Sequence, residues 1–147
     1  MSLKDQLTAA MKEAMKAKQS ERLGTLRMII SAIKNKEIEK HGELDDAAVI
    51  EVLSSFVKQR REAADVYRKN DKPDMAESEE REMVIAREFL PEQMSEDEIR
   101  SLVEDVVTEL GAESMKDMGR VMKVLTEKTK GRADGKVVSD LVRSKLQ

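Results

Sequence analysis

Phe89-Leu90-Pro91-Glu92-Gln93-Met94-Ser95 decides how the chain is divided. Proline lacks the N–H that an interior helical turn uses and pushes the preceding Leu90 away from helical geometry. Ser95 followed three residues later by Glu98 has the pattern of a reciprocal cap that opens a new helix. The stretch therefore reads as a boundary, with long charged helices before it and shorter ones after. We expect an all-α chain with an N-terminal helical domain over 1–92, built like a four-helix bundle, and a smaller three-helix domain over 93–147.

Upstream of the boundary, Leu3, Leu7, Ala10, Met11, Ala14 and Met15 recur at helical spacing, and Ser2 with Asp5 offers a cap. Ser20 opens a second helix carrying Leu23, Leu26, Ile29, Ile30 and Ile33, expected to end near Lys40, with Gly42 taking the left-handed terminal conformation. Asp45 or Asp46 caps a third helix through Val49, Val52, Leu53, Phe56, Val57, Ala64 and Tyr67 to about Lys69. Asn70-Asp71-Lys72-Pro73 then turns the chain. The fourth helix, Asp74 to about Phe89, has a weaker stripe of Met75, Met83, Ala86 and Leu90, with acid in its first half.

Downstream, Ile99, Leu102, Val103, Val106, Val107 and Leu110 make a strong stripe that Gly111 should terminate. Met118, Val121, Met122 and Leu125 define a short helix expected to stop at Gly131. Asp134 caps a last helix carrying Val137, Val138, Leu141, Val142 and Leu146.

Composition narrows the chemistry. In 147 residues there is no Cys, which removes disulfides, thiolate nucleophiles and sulfur-ligated zinc. The formal charge of -3 is spread over mixed signs, so no global field marks a polyanion binder. No apolar run approaches the roughly 20 residues that span a bilayer, and the N-terminal residues lack a continuous apolar segment. These features lead to the expectation of a cytoplasmic protein without a membrane partner. Oligomeric state is open, because a stripe that closes a core and one that closes a dimer look alike.

Four constellations have the composition of a site. Lys58-Gln59-Arg60-Arg61 has the composition of a phosphate cluster, but Arg60 is in phase with Phe56 and Ala64, so pairing with the acids of the fourth helix is the stronger reading. His41 is the only histidine, and one imidazole at a helix end is a terminal residue before it is a zinc ligand. Lys130-Gly131-Arg132-Ala133-Asp134-Gly135-Lys136 is not a Walker loop: three residues separate its first two glycines, Val137 follows the lysine, and no strand precedes. It keeps a tight turn, a cap at Asp134 and a helix start whose N–H groups attract anions. Finally, residues 111–147 hold nine basic and five acidic side chains. This local excess fits either solvated helix faces or an RNA-binding surface, with no aromatic after Phe89 to stack on bases. No catalytic constellation, metal set or cofactor motif stands out.

The ordered set Leu26-Arg27-Met28, Ser31-Ala32-Ile33-Lys34-Asn35-Lys36-Glu37, Lys58-Gln59-Arg60-Arg61, Leu90-Pro91-Glu92-Gln93, Asp117-Met118-Gly119-Arg120-Val121-Met122 and Lys130-Gly131-Arg132-Ala133-Asp134-Gly135 resembles the YqeY-like family over nearly the whole chain. That family is similar to the C-terminal tail domain of the B subunit of the glutamine-dependent amidotransferase that matures misacylated tRNA. The resemblance implies an N-terminal helical bundle, a C-terminal three-helix domain and a tRNA-handling appendage. A carbon–nitrogen ligase label with glutamine as amido-N-donor travels with it, but the parts that release ammonia and activate the carboxyl have no counterpart here. Lys123 stands where family members often have a small residue.

The expected function is thus a stand-alone, non-catalytic tRNA-binding module with Arg120, Lys123, Lys128, Lys130, Arg132 and Lys136 as phosphate contacts. Two alternatives stay open: a partner of a carbon–nitrogen ligase or of the aminoacyl-tRNA machinery, and a helical adaptor using Met11, Met15 and Met28 as apolar contacts.

Overall fold

The computed structural model describes residues 1–147 and contains seven α-helices, one 3-10 turn and no strand. The chain forms two compact units, Met1–Leu90 and Pro91–Gln147.

In the first unit, α1 (Leu3–Lys16) is capped by Ser2, whose hydroxyl accepts from the Asp5 N–H. α2 (Ser20–Lys40) ends differently from expectation. The left-handed residue is His41 at φ 58°, and Gly42 N donates one place later to Glu37 O at 3.1 Å. This is a paired terminal motif in which the non-glycine residue takes the strained position. α3 (Asp46–Lys69) is capped by Asp45, which accepts from Ala48 N at 2.9 Å.

α4 (Pro73–Arg87) begins one residue earlier than expected, because proline at the first helical position loses no hydrogen bond and has the required φ. Its end comes earlier too: Glu88, Phe89 and Leu90 donate to carbonyls three residues back, a tightening that ends the helix before Pro91. With this register Ala76 is fully buried and Met75, expected in the stripe, is 45% exposed. Leu7 and Ala14 of α1, Leu26, Ile29 and Ile33 of α2, Val49, Leu53, Phe56 and Val57 of α3, and Met83 and Ala86 of α4 close one core.

Polar ties between helices hold this unit, two of them built from shared side chains. Glu37 Oε2 accepts from Lys4 Nζ at 2.5 Å and from Leu44 N at 3.0 Å, fastening α1 and the α2–α3 loop to α2. These two donors hold the Glu37 carboxyl below its usual range, the lysine first. Arg60 lies with its guanidinium 4.0 Å from the centroid of Phe56 and reaches Glu82 at 2.9 Å and Glu79 at 3.6 Å on α4. The cluster is thus an inter-helix ion pair, with Arg68–Glu80 at 2.6 Å extending the same seam.

In the second unit, α5 (Glu96–Leu110) starts in the reciprocal cap of Ser95 and Glu98 and stops at Gly111, φ 61°. A 3-10 turn, Met115–Asp117, which sequence periodicity did not show, leads into α6 (Met118–Thr129). α7 (Gly135–Leu146) is capped by Asp134. Ile99, Val103, Val106 and Val107 of α5 pack with Val121 and Leu125 of α6 and Val138, Val142 and Leu146 of α7. No helix of the chain is long and apolar enough to cross a membrane.

Candidate functional site

The second unit owes its shape to a join between two stretches far apart in sequence. Gly131 takes φ 74°, which turns the backbone at the end of α6. Arg132 N closes on Thr129 O at 2.8 Å, and Arg132 O accepts from Met94 N at 2.9 Å. Gln93 Nε2 donates to both Pro91 O and Gly131 O at 2.8 Å, and Arg132 Nε donates to Glu92 O at 2.9 Å. The 91–94 segment is therefore fastened along the α6–α7 loop. Two motifs that looked independent in sequence are one structural element, and the basic loop is an anchored turn.

This changes the status of the six cations. Lys123, Lys128, Lys130 and Lys136 are exposed, as is Arg120. Arg132 is half-buried and its Nε is committed to the Glu92 carbonyl, so its first role is to position the loop. Arg120 reaches Asp117 at 3.0 Å. The remaining cations fall in two groups. Arg120 and Lys123 lie one turn apart on α6, opposite the buried Val121 and Leu125. Lys128, Lys130 and Lys136 gather where α6 ends and α7 begins, on the order of 10 Å further along the α6 axis at 1.5 Å per residue.

Asp117 organises the first group. Its Oδ2 accepts from Glu113 N at 2.9 Å and from Ser114 N at 3.4 Å, while Oδ1 meets Arg120. The two backbone donors, ahead of Arg120, hold its carboxyl below the usual aspartate range. At the other group the start of α7 is less inviting to anions than expected, because Asp134 Oδ1 already accepts from Lys136 N at 2.9 Å and brings its own negative charge. Attraction at this end comes from the lysine ammonium groups.

Gly119 was not singled out by sequence reasoning. It lies exposed in the first turn of α6 between Asp117 and Arg120, and a Cβ built there would meet nothing within 4 Å. Packing within the fold does not require glycine at this position. The backbone beside Arg120 is therefore open at this point.

Comparison with known proteins places the chain. Residues 4–146 match the family described as Yqey-like protein. Altered inheritance of mitochondria protein 41, mitochondrial, from Lachancea thermotolerans is 38% identical over 103 residues, covering 68% of this chain and 55% of that protein. The protein of the same name from Vanderwaltozyma polyspora is 33% identical over 115 residues, 74% of this chain and 62% of that one. An uncharacterized Schizosaccharomyces pombe protein is 32% identical over 83 residues, 56% of this chain and 68% of its own length. The chain spans about half to three-fifths of the mitochondrial relatives. Their names correct the cytoplasmic expectation: it rested on missing cysteine and missing apolar segments, which constrain the chemistry of a chain without specifying its compartment. With a match from near its first residue to near its last, the chain belongs to the YqeY-like family.

Proposed function

We propose that the second unit is a tRNA-binding module that tracks phosphates rather than reading bases. The observation that carries this reading is the pairing of an anchored loop with exposed cations around it: Lys123, Lys128, Lys130 and Lys136, with Arg120 beside the bare surface of Gly119. Phosphate contacts need cations held at fixed positions and set register without sequence preference. The unit has no Trp, Tyr or Phe from Pro91 onward, so base stacking contributes nothing and recognition rests on backbone shape. The resemblance of the chain to an amidotransferase tail supports tRNA as the RNA in question. In this reading Arg132 holds the loop in place, and the other five cations make the contacts.

The test is charge reversal at residues that carry no structural duty. Lys123→Glu, Lys128→Glu and Lys136→Glu together, in the full chain, should lower affinity for unfractionated tRNA by at least tenfold at low salt while the circular dichroism spectrum stays unchanged. A control with the same net charge change, reversing Lys12, Lys16 and Lys18 of the first unit, should leave affinity within about twofold, because those lysines lie outside the site. Equal loss in both variants would show a nonspecific charge effect, and no loss in the first would remove the site.

A further inference from the structure

The first unit holds a feature that neither its packing nor the proposed RNA surface uses. α2 and α3 run antiparallel across the loop 41–45, and two stripes spaced four residues apart face each other. Met28, Ala32, Lys36 and Lys40 come from α2; Ala48, Val52, Phe56 and Arg60 come from α3. Their small members leave a trough. One part, about 400 Å³, runs over Ala32, Leu44, Ala48, Val52 and Phe56, and a second, about 380 Å³, continues past Met28 to Arg60. From residue 28 to residue 40 the trough follows roughly 18 Å of helix, a little over three turns.

Ala32, Leu44, Ala48, Val52 and Phe56 give the floor its apolar part, polar side chains share the lining, and the rim is mostly basic. Arg27, Lys36 and Lys40 stand exposed along the α2 side, whereas Glu51 is the single acidic side chain among the lining residues. Lys36 pairs with Glu39 on its own helix, at 3.7 Å between exposed groups, a contact that costs little to exchange. Arg60 closes one end and is held there by Glu82 and Phe56. Asn35 and Gln59 offer exposed amides between the cations.

We propose that this trough is a docking site for an acidic amphipathic helix of a protein partner. Three turns of trough match the length over which a helix presents apolar side chains at positions i, i+4 and i+7. The floor accepts those side chains, and acids flanking them meet Arg27, Lys36 and Lys40. A nucleic-acid strand fits less well, because the only aromatic in the trough, Phe56, is 5% exposed and its face is covered by Arg60. The surface lies in the first unit, so the partner and the RNA of the preceding section occupy different units.

The experiment uses the full chain, ¹⁵N-labelled, and three probes. The first is a helical peptide of about 16 residues, with Leu at i, i+4, i+7 and i+11 spanning about three turns and Glu on either side. The second has Lys in place of Glu, and the third is a single-stranded oligouridylate. The acidic peptide should shift amide resonances around Ala32, Lys36, Ala48, Val52 and Gln59, and the Lys36→Glu/Lys40→Glu variant should weaken its binding at least tenfold. The Val52→Phe variant, which fills the floor and leaves the rim's charge unchanged, should do the same. Equal binding of the basic peptide, shifts confined to the second unit, or perturbation of the trough by the oligonucleotide and not by the acidic peptide would overturn the proposal.

Discussion

Replacing Arg60 by Met removes a charge and keeps a flexible apolar stem over Phe56. The charged hydrogen bond to Glu82 contributes about 1.5–3 kcal/mol in general. Here the two side chains are 21% and 20% exposed, so most of that contribution survives solvent screening. The cation over the Phe56 ring adds about 1 kcal/mol, and the retained stem offsets part of the total. The net cost should be about 2 kcal/mol. For a unit the size of Met1–Leu90 this corresponds to a fall in Tm of roughly 10 °C.

Tyr67 is the only tyrosine and the chain has no Trp, so tyrosine fluorescence follows the first unit alone. The control is Arg61→Met. Burial, and then Arg87, lowers the pKa of the Arg61 guanidinium, so loss of its charge relieves repulsion and should shift Tm much less. The two variants also differ in pH dependence. Burial, then the Glu82 carboxylate, raises the Glu79 carboxyl above 4.5, and Arg60 opposes this. A carboxyl raised in the fold weakens stability as pH climbs from 4.5 through its folded pKa. Without Arg60 that loss deepens, so the penalty of Arg60→Met should be larger at pH 7 than at pH 5. Equal melting temperatures for the two variants, or a penalty that shrinks toward pH 7, would refute the ion-pair reasoning.

Three further outcomes are expected. Gln93→Ala removes the donor shared by Pro91 O and Gly131 O, and should expose the 130–134 loop to limited proteolysis while the first unit's Tm stays constant. Leu125→Ala, at a fully buried position of the second core, should cost about 2–5 kcal/mol in urea denaturation followed by circular dichroism. Glu37 is held below its usual pKa by Lys4 and Leu44 N, so its contribution is present above 4.5 and lost as pH falls through the folded value. Glu37→Gln should therefore flatten the acid limb of the first unit's stability profile, measured by Tyr67 fluorescence between pH 5 and pH 2.5.

Helix caps and stripes were the most legible part of the chain. Ser2, Asp45, Ser95 and Asp134 all act as caps because their short polar side chains reach N–H groups two or three residues ahead, a purely local geometry. Arg60 was legible for a related reason: its phase placed it on the packed face, beside a helix rich in glutamate. His41 was not, since glycine is the residue that takes the left-handed place without steric cost and Gly42 stands next to it, yet His41 holds that place at φ 58°. Ala76 is buried in place of Met75 because it lies close to two full turns before the buried Met83, whereas Met75 is one residue further and points away from that stripe.

The candidate site was legible in composition and not in arrangement. A count of cations in residues 111–147 finds all six, but nothing local separates Arg132, which holds Glu92 O, from the exposed lysines. That distinction depends on a contact across forty residues. The trough between α2 and α3 is similarly hidden: nothing local marks Ala32 and Ala48, and only their small size, seen across two helices, leaves the space open.

The central claim is that the second unit binds tRNA through phosphates, and its most direct test is the salt dependence of binding by the full chain. With Arg120, Lys123, Lys128, Lys130 and Lys136 in contact, log K should fall linearly with log salt concentration at a slope of about -4, and the Lys123, Lys128 and Lys136 triple charge reversal should reduce the slope to about -2 or less. Absence of binding at about 50 mM salt, or a slope that the triple variant leaves unchanged, would contradict the account.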